Sequence, residues 1–199
     1  MVKRAPDVRD GVELAAWQAL AGVRDPEIPP LSITDLGIVE RVRVDDEVVH
    51  VDLLPTFVGC PALDVIREDT ERAVSAAAGG RRVEVRFVYS PPWTSDRITP
   101  EGREALRCYG LTPPPVEAGG RTFLPLASLH RTGGAAACPF CGSEDTVVES
   151  AFGPTLCRTT HFCRSCRNPF EAFKPKTAGS GRPGPADSAG GQSPRAHRP

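Results

Sequence analysis

Cys60 stands in the run Pro55-Thr56-Phe57-Val58-Gly59-Cys60-Pro61, between a β-rich stretch at residues 48–54 and a helix-like pattern at residues 61–78. Gly59 allows a tight backbone approach. Pro61 suits a first helical position, where its missing N–H would be unpaired in any case. This spacing sets Cys60 at or beside a helix N-terminus. Unpaired N–H groups and the positive end of the helix dipole favour the thiolate there, the form that attacks electrophiles and binds metals. The same position also suits a small apolar residue in a strand-to-helix turn, since free cysteine is among the most buried side chains.

A second chemistry lies downstream. Cys138-Pro139-Phe140-Cys141-Gly142 and Cys163-Arg164-Ser165-Cys166 contain two C-x-x-C knuckles. Two thiolates separated by two residues fill two corners of a tetrahedron, and a second knuckle closes it. This is the logic of a four-cysteine zinc ribbon without an open position. The 21 residues between Cys141 and Cys163 slightly exceed the usual window. Cys157, with 15 residues separating it from Cys141, offers an alternative ligand, and His161 is a further candidate. Two close pairs make the simpler geometry and leave Cys157 as a spare thiol in a strand. Zinc is the expected ion, although four thiolates bind iron as well. A segment this short has little apolar core, so metal binding should supply most of its folding energy.

The remaining chain must position these thiols. Residues 1–9 read as loosely ordered. Asp10 and Glu13 form a capping-box pattern ahead of a helix with Leu14, Trp17, Leu20 and Ala21 on one face, ending near Arg24. Asp25-Pro26-Glu27-Ile28-Pro29-Pro30 is a stiff acidic loop, followed by a turn at residues 32–37. Its carboxylates and Asp35 either line a site beside the Cys60 loop or merely belong to connections. Residues 38–44 and 48–54, separated by Asp45-Asp46-Glu47, predict an antiparallel hairpin. The helix after Cys60 turns Leu63, Ile66, Ala73 and Ala77 inward and stops at Gly79-Gly80. Residues 82–89 alternate, with Val83, Val85, Phe87 and Tyr89 on one face. The order helix–strand–strand–helix–strand gives an α+β sandwich domain over residues 10–110.

The loop at residues 90–96 carries an exposed-looking Trp93, either a partner contact or a lid on the core. Thr99 caps a short helix that begins at Pro100, stops at Gly110 and contains a structural Cys108. Residues 111–137, rich in proline and glycine, read as a linker. Residues 138–174 read as the zinc ribbon, with a hairpin of 146–152 and 155–162 that brings the knuckles together. Residues 175–199 have the composition of a disordered tail.

Several function classes are disfavoured. A net charge of −1 provides no global field for nucleic acid, and the ribbon's basic residues form no clear stacking surface. No apolar run is long enough to span a bilayer, and the N-terminus has no signal-peptide pattern. The protein is therefore expected to be cytoplasmic, where its seven cysteines serve as ligands or reactive thiols rather than disulfides. Paired Glu-x-x-His motifs, a dinucleotide fingerprint and a hydrolase nucleophile elbow are all missing from the sequence. One activated thiol beside a structural metal module suits a handler of metal clusters better than an enzyme.

Asp25-Pro26-Glu27-Ile28-Pro29, Asp35-Leu36-Gly37 and Thr56-Phe57-Val58-Gly59-Cys60-Pro61 resemble the family of small metal–sulfur cluster biosynthesis domains, whose functional cysteine lies in the T-x-x-G-C-P loop. With Cys138-Pro139-Phe140-Cys141-Gly142-Ser143, Phe152-Gly153-Pro154-Thr155-Leu156-Cys157-Arg158 and Pro169-Phe170-Glu171-Ala172-Phe173-Lys174, the chain is similar over about residues 10–175 to the PaaD family, which belongs to the 1,2-phenylacetyl-CoA epoxidase system of aerobic phenylacetate degradation. The resemblance implies an accessory protein, distinct from the di-iron oxygenase, that matures an iron–sulfur or iron centre of the complex. Cys60 would be the transient ligand of iron or an iron–sulfur cluster, with Asp25, Glu27, Asp35, Thr56 and Gly59 about its loop. The implied partners are epoxidase components, foremost the reductase with its 2Fe–2S cluster. Such a cluster usually takes four protein ligands, so a single thiolate implies bridging across a homodimer or help from a small thiol or the client. A pure interaction component with no metal-transfer role is the competing reading.

Overall fold

The computed structural model describes residues 11–116 and 136–176. The expected Asp10 cap, the loose first residues, most of the expected linker and the tail beyond Lys176 lie outside them.

The predicted hairpin forms. β1 (Val39–Val44) runs antiparallel to β2 (Val48–Leu53). The Asp45 carboxylate accepts from the N–H groups of Glu47 and Val48 at 3.0 and 2.6 Å, which fixes the turn between them. A crossover helix, α2 (Leu63–Ala77), then returns the chain to β3 (Arg82–Phe87), which lies parallel to β2. The helix α1 (Gly11–Leu20) packs on α2. The result is a mixed α+β layer of three strands in the order β1-β2-β3.

Two helical faces differ in phase from the sequence reading. In α1 the buried residues are Ala16 and Leu20, while Leu14 is exposed; the helix stops at Leu20, before the expected end near Arg24. In α2 the buried residues are Ile66, Thr70 and Val74, spaced by one turn; of the expected stripe Leu63, Ile66, Ala73 and Ala77, Ile66 is buried and the other three are only partly covered. An apolar count passes over threonine, whose methyl group here supplies the middle of the stripe.

Trp93 takes the second of its two expected roles, a lid on the core. It is 1% exposed, its Nε1–H donates to the Leu36 carbonyl at 2.8 Å, and its ring lies 6.1 Å from that of Phe173. The proline-rich loop folds inward, and α3 (Pro100–Cys108) follows it with the expected Thr99 cap, whose side chain accepts from the Gly102 N–H.

The second sheet has the order β4-β7-β6-β5. Its members are β4 (Leu111–Thr112), β5 (Thr146–Ser150), β6 (Arg158–Cys163) and β7 (Pro169–Phe173). The expected hairpin is β5 against β6, and β7 adds antiparallel to β6. Leu111 and Thr112, expected to open the linker, instead pair in parallel with Glu171 and Ala172. Leu111 and Phe173 belong to the same buried cluster as the β1–β3 layer. Lys176, expected in the tail, is docked: Ser95 N–H donates to its carbonyl at 2.9 Å, and its own N–H donates to Ser95 Oγ at 2.8 Å. The described part of the ribbon therefore packs on the first layer. Its last strand closes the core of the first layer.

Candidate functional site

Between β2 and α2 the chain passes through the loop that carries Cys60. Helix α2 begins at Leu63, with Ala62 as its cap, so neither Cys60 nor Pro61 is a helical residue. Gly59 has φ 87°, and a Cβ placed there would meet nothing within 4 Å. The glycine is needed for its left-handed backbone and not, as expected, for close approach. Cys60 is half-buried. Burial pushes its thiol above the ordinary range; an Ala62 N–H works downward, while Glu27, Cys157 and Asp25 work upward. This reverses the expectation of a thiolate favoured by the helix end, because two carboxylates and desolvation outweigh one N–H.

The reversal has a kinetic consequence. In native protein near neutral pH, Cys60 is expected to alkylate more slowly than the exposed Cys108. Its rate should keep rising as pH climbs past the usual thiol range, because the thiolate is the reacting form. Glu27→Gln removes a negative neighbour and should speed the reaction. Site-resolved mass spectrometry of iodoacetamide-pulsed protein measures both rates, and faster labelling of Cys60 at neutral pH would contradict this electrostatic account.

A groove of about 190 Å³ opens beside the Cys60 loop. One wall comes from the first layer, with Glu27, Thr56, Phe57, Cys60 and Pro61; the other comes from the ribbon segment from Phe152 to Cys157, together with Lys174. The ribbon segment is pinned in place. Arg158 donates through Nη2 to the Glu27 carbonyl at 2.6 Å and through Nη1 to the Glu171 carboxylate at 2.8 Å. Lys174 Nζ donates to the Leu156 carbonyl and Lys176 Nζ to the Thr56 carbonyl, both at 2.9 Å. At Gly153 an added Cβ would lie 2.8 Å from Arg158 Cβ, so only glycine fits this turn.

The expected site residues separate accordingly. Glu27 and Thr56 line the groove. Asp25 acts on Cys60 electrostatically, while its Oδ1 accepts from the Glu27 and Ile28 N–H groups at 2.8 and 3.0 Å. Asp35 does not line the groove: its carboxylate accepts from Ser32 Oγ at 2.6 Å and from Thr99 Oγ1, tying the 32–37 turn to α3. Gly59 shapes the loop. Cys157, Lys174 and Lys176 are additions that the sequence reading did not place here. The available signal was the odd cysteine left after two knuckles had been counted.

The knuckles form the second site. The sulfurs of Cys138, Cys141, Cys163 and Cys166 all lie within 4.8 Å of one another. The Cys138–Cys166 and Cys141–Cys163 separations are each 3.6 Å. Zinc held at about 2.3 Å by four thiolates sets neighbouring sulfurs roughly 3.8 Å apart, so the arrangement fits such an ion. Each knuckle closes in the same way. Gly142 N–H donates to the Cys138 carbonyl and Arg167 N–H to the Cys163 carbonyl, both at 2.9 Å, and both donor residues have positive φ. The Asn168 N–H and the other three thiols hold Cys166 down to about 6. Against the pull of the Ser143 N–H, desolvation and the other thiols push Cys141 up to about 12. Thiols bind metal as thiolates, so metal binding releases the protons the four cysteines still hold.

Cys157 and His161 are outside this four-sulfur group. Cys157 faces the other site, with Thr155 Oγ1 at 3.1 Å from its sulfur. His161 is buried, its Nε2 is 2.8 Å from Thr159 Oγ1, and its ring stacks on Phe170 at 5.2 Å. Desolvation lowers its pKa, and its ring serves as a packing residue. Among the described residues, no helix is long and apolar enough to cross a membrane.

Comparisons with known proteins match two separate parts of the chain. Residues 13–87 match the family of iron-sulfur cluster assembly proteins, and residues 125–174 match the PaaD zinc beta ribbon domain. A protein of Escherichia coli ascribed to 1,2-phenylacetyl-CoA epoxidase as one of its components is 39% identical over 158 residues, covering 79% of this chain and 90% of its own length. The Fe-S protein maturation auxiliary factor YitW of Bacillus subtilis is 33% identical over 89 residues, 44% of this chain and 86% of its own. A crystal structure of a domain of unknown function, DUF59, from Bacillus anthracis aligns over 48% of this chain and 91% of its own at 29% identity, with a TM-score of 0.45.

Proposed function

Because this chain belongs to the PaaD family of 1,2-phenylacetyl-CoA epoxidase components, we propose that it is a non-catalytic accessory protein that matures an iron–sulfur or iron centre of that multicomponent oxygenase through Cys60. The observation that carries the reading is the separation of two thiol sites. Four cysteines are used up in a closed group that fits a structural zinc, whereas Cys60 lies in a groove reachable by an outside partner. Iron is the cargo of this site, and the ribbon zinc is the resident metal. The raised proton affinity of Cys60 suits a transient ligand. A thiolate that takes its proton back readily releases its metal more readily than one held deprotonated by fixed positive charge.

The reductase component, whose 2Fe–2S cluster the family resemblance brings in, is the proposed client. The protein is proposed to act in the cytoplasm, without nucleic acid and away from membranes. The test is the iron and acid-labile sulfide content of epoxidase components purified anaerobically from cells with and without this protein. Under-loading of one component in its absence is the expected result. Equal contents together with lost activity would replace maturation with a stoichiometric role in the complex.

A further inference from the structure

We infer that Cys157 is the second thiol of the Cys60 site, so that the ribbon and the first layer together form a two-thiolate clamp for thiophilic iron. The inference rests on the maturation reading above and names the ligands it left open.

Both thiols are free, half-buried and on opposite walls of one groove. Cys157 bears on the Cys60 thiol electrostatically, and both thiols sense Glu27 and Asp25. Cys157 therefore supplies one of the further ligands that a lone Cys60 lacks. Its position is built by the fold. The Gly153 turn leaves no room for a side chain, Arg158 bonds to the Glu27 backbone, and Lys174 N–H donates to the Cys157 carbonyl at 2.8 Å. The groove is far larger than the roughly 10–15 Å³ that one water needs on the same measure, so it admits more than a bare ion. Two thiolates with a carboxylate alongside select iron, zinc or cobalt over magnesium or calcium. On binding, each thiol gives its proton to solvent and its sulfur electron pair to the metal, with no change of oxidation state. The facing charged groups are Asp25, Glu27, Arg158 and Lys174. The carboxylates offset the positive charge brought by the ion, and Lys174 is directed to the Leu156 carbonyl.

The test uses the full chain with its ribbon zinc in place, in anaerobic buffer with a phosphine reductant. Cobalt(II) is titrated and read by its thiolate-to-metal charge-transfer band, with zinc content followed in the same samples. Cobalt is expected to bind once per chain beyond the zinc. Cys60→Ser and Cys157→Ser should each weaken binding at least about tenfold and cut the band at saturation to roughly half, since its intensity follows the number of thiolates. Cys157→Ala guards against a serine oxygen acting as a ligand, and Cys108→Ser should behave as wild type. Parallel titrations with iron(II) alone and with iron(II) plus sulfide show whether the clamp takes the ion or a cluster edge. Wild-type affinity and band in both Cys157 variants would overturn the inference, as would equal weakening by Cys108→Ser. Maturation fails on a different measurement, the iron content of the epoxidase components, so the two can fall separately.

Discussion

Cells that carry Cys60→Ser in place of the wild-type protein are expected to make all epoxidase polypeptides yet show only the epoxidase activity of cells lacking this protein. A client centre should be short of iron or sulfide. The substitution exchanges one sulfur for one oxygen in a loop that is half-exposed, so the fold should remain: no heavy atom crowds Gly59, and the α2 core of Ile66, Thr70 and Val74 lies beyond the loop. Serine cannot substitute chemically, because its hydroxyl is a far weaker acid than a thiol and a hard ligand where iron in a sulfide environment prefers a soft one. The check is paired: circular dichroism and zinc content of the purified variant, and activity with metal content of the epoxidase from the same cells. Full activity with Cys60→Ser would remove the thiol from the function, whatever its surroundings.

The second large effect concerns the ribbon metal. Wild-type protein is expected to hold about one zinc per chain. Cys138→Ser or Cys166→Ser should release it, since each leaves a three-thiolate set. The apparent free energy of zinc in comparable peptides is ~10–16 kcal/mol at neutral pH, and among the described residues the ribbon's own buried cluster is Cys138, Cys163 and Phe170. Phe173 packs on Trp93, and Leu111 and Phe173 are part of the main core, so the damage should not stop at the ribbon. Loss of zinc should therefore red-shift tryptophan emission as Trp93 becomes wet, and lower the thermal midpoint of the whole protein. Cys157→Ser should keep its zinc. Complete zinc retention in both knuckle variants would sink the ligand assignment, and unchanged Trp93 emission after zinc loss would separate the ribbon from the core.

The two knuckles were legible in the sequence because their chemistry is local. A C-x-x-C turn places its own sulfurs, and two such turns need only a hairpin between them to meet. The β1–β2 hairpin and the Thr99 cap were legible for the same reason: Asp45 and Thr99 act on backbone groups within three residues of themselves. The α+β order of the first layer followed from periodicity and turn residues alone.

What lay beyond the sequence depends on contacts between distant segments. The phase of α2 was set by which face met the sheet, and that choice buried Thr70 and left Val65 exposed. The linker prediction failed at Leu111 and Thr112 because a two-residue strand has almost no local signature and exists only by pairing with Glu171 and Ala172. Trp93 looked exposed because its neighbours are polar and proline-rich, while Phe173, eighty residues later, provides its cover. The acidity of Cys60 was misjudged for a related reason. The helix end is visible in the local sequence, but the burial and the Glu27 and Asp25 charges that outweigh it arrive from elsewhere. The sequence alone determined that this chain carries one Gly-Cys-Pro loop ahead of α2 and one four-cysteine ribbon. Tertiary structure alone decided that the ribbon's remaining cysteine faces that loop, because only the packing of β7 and Arg158 against the first layer brings the two walls of the groove together.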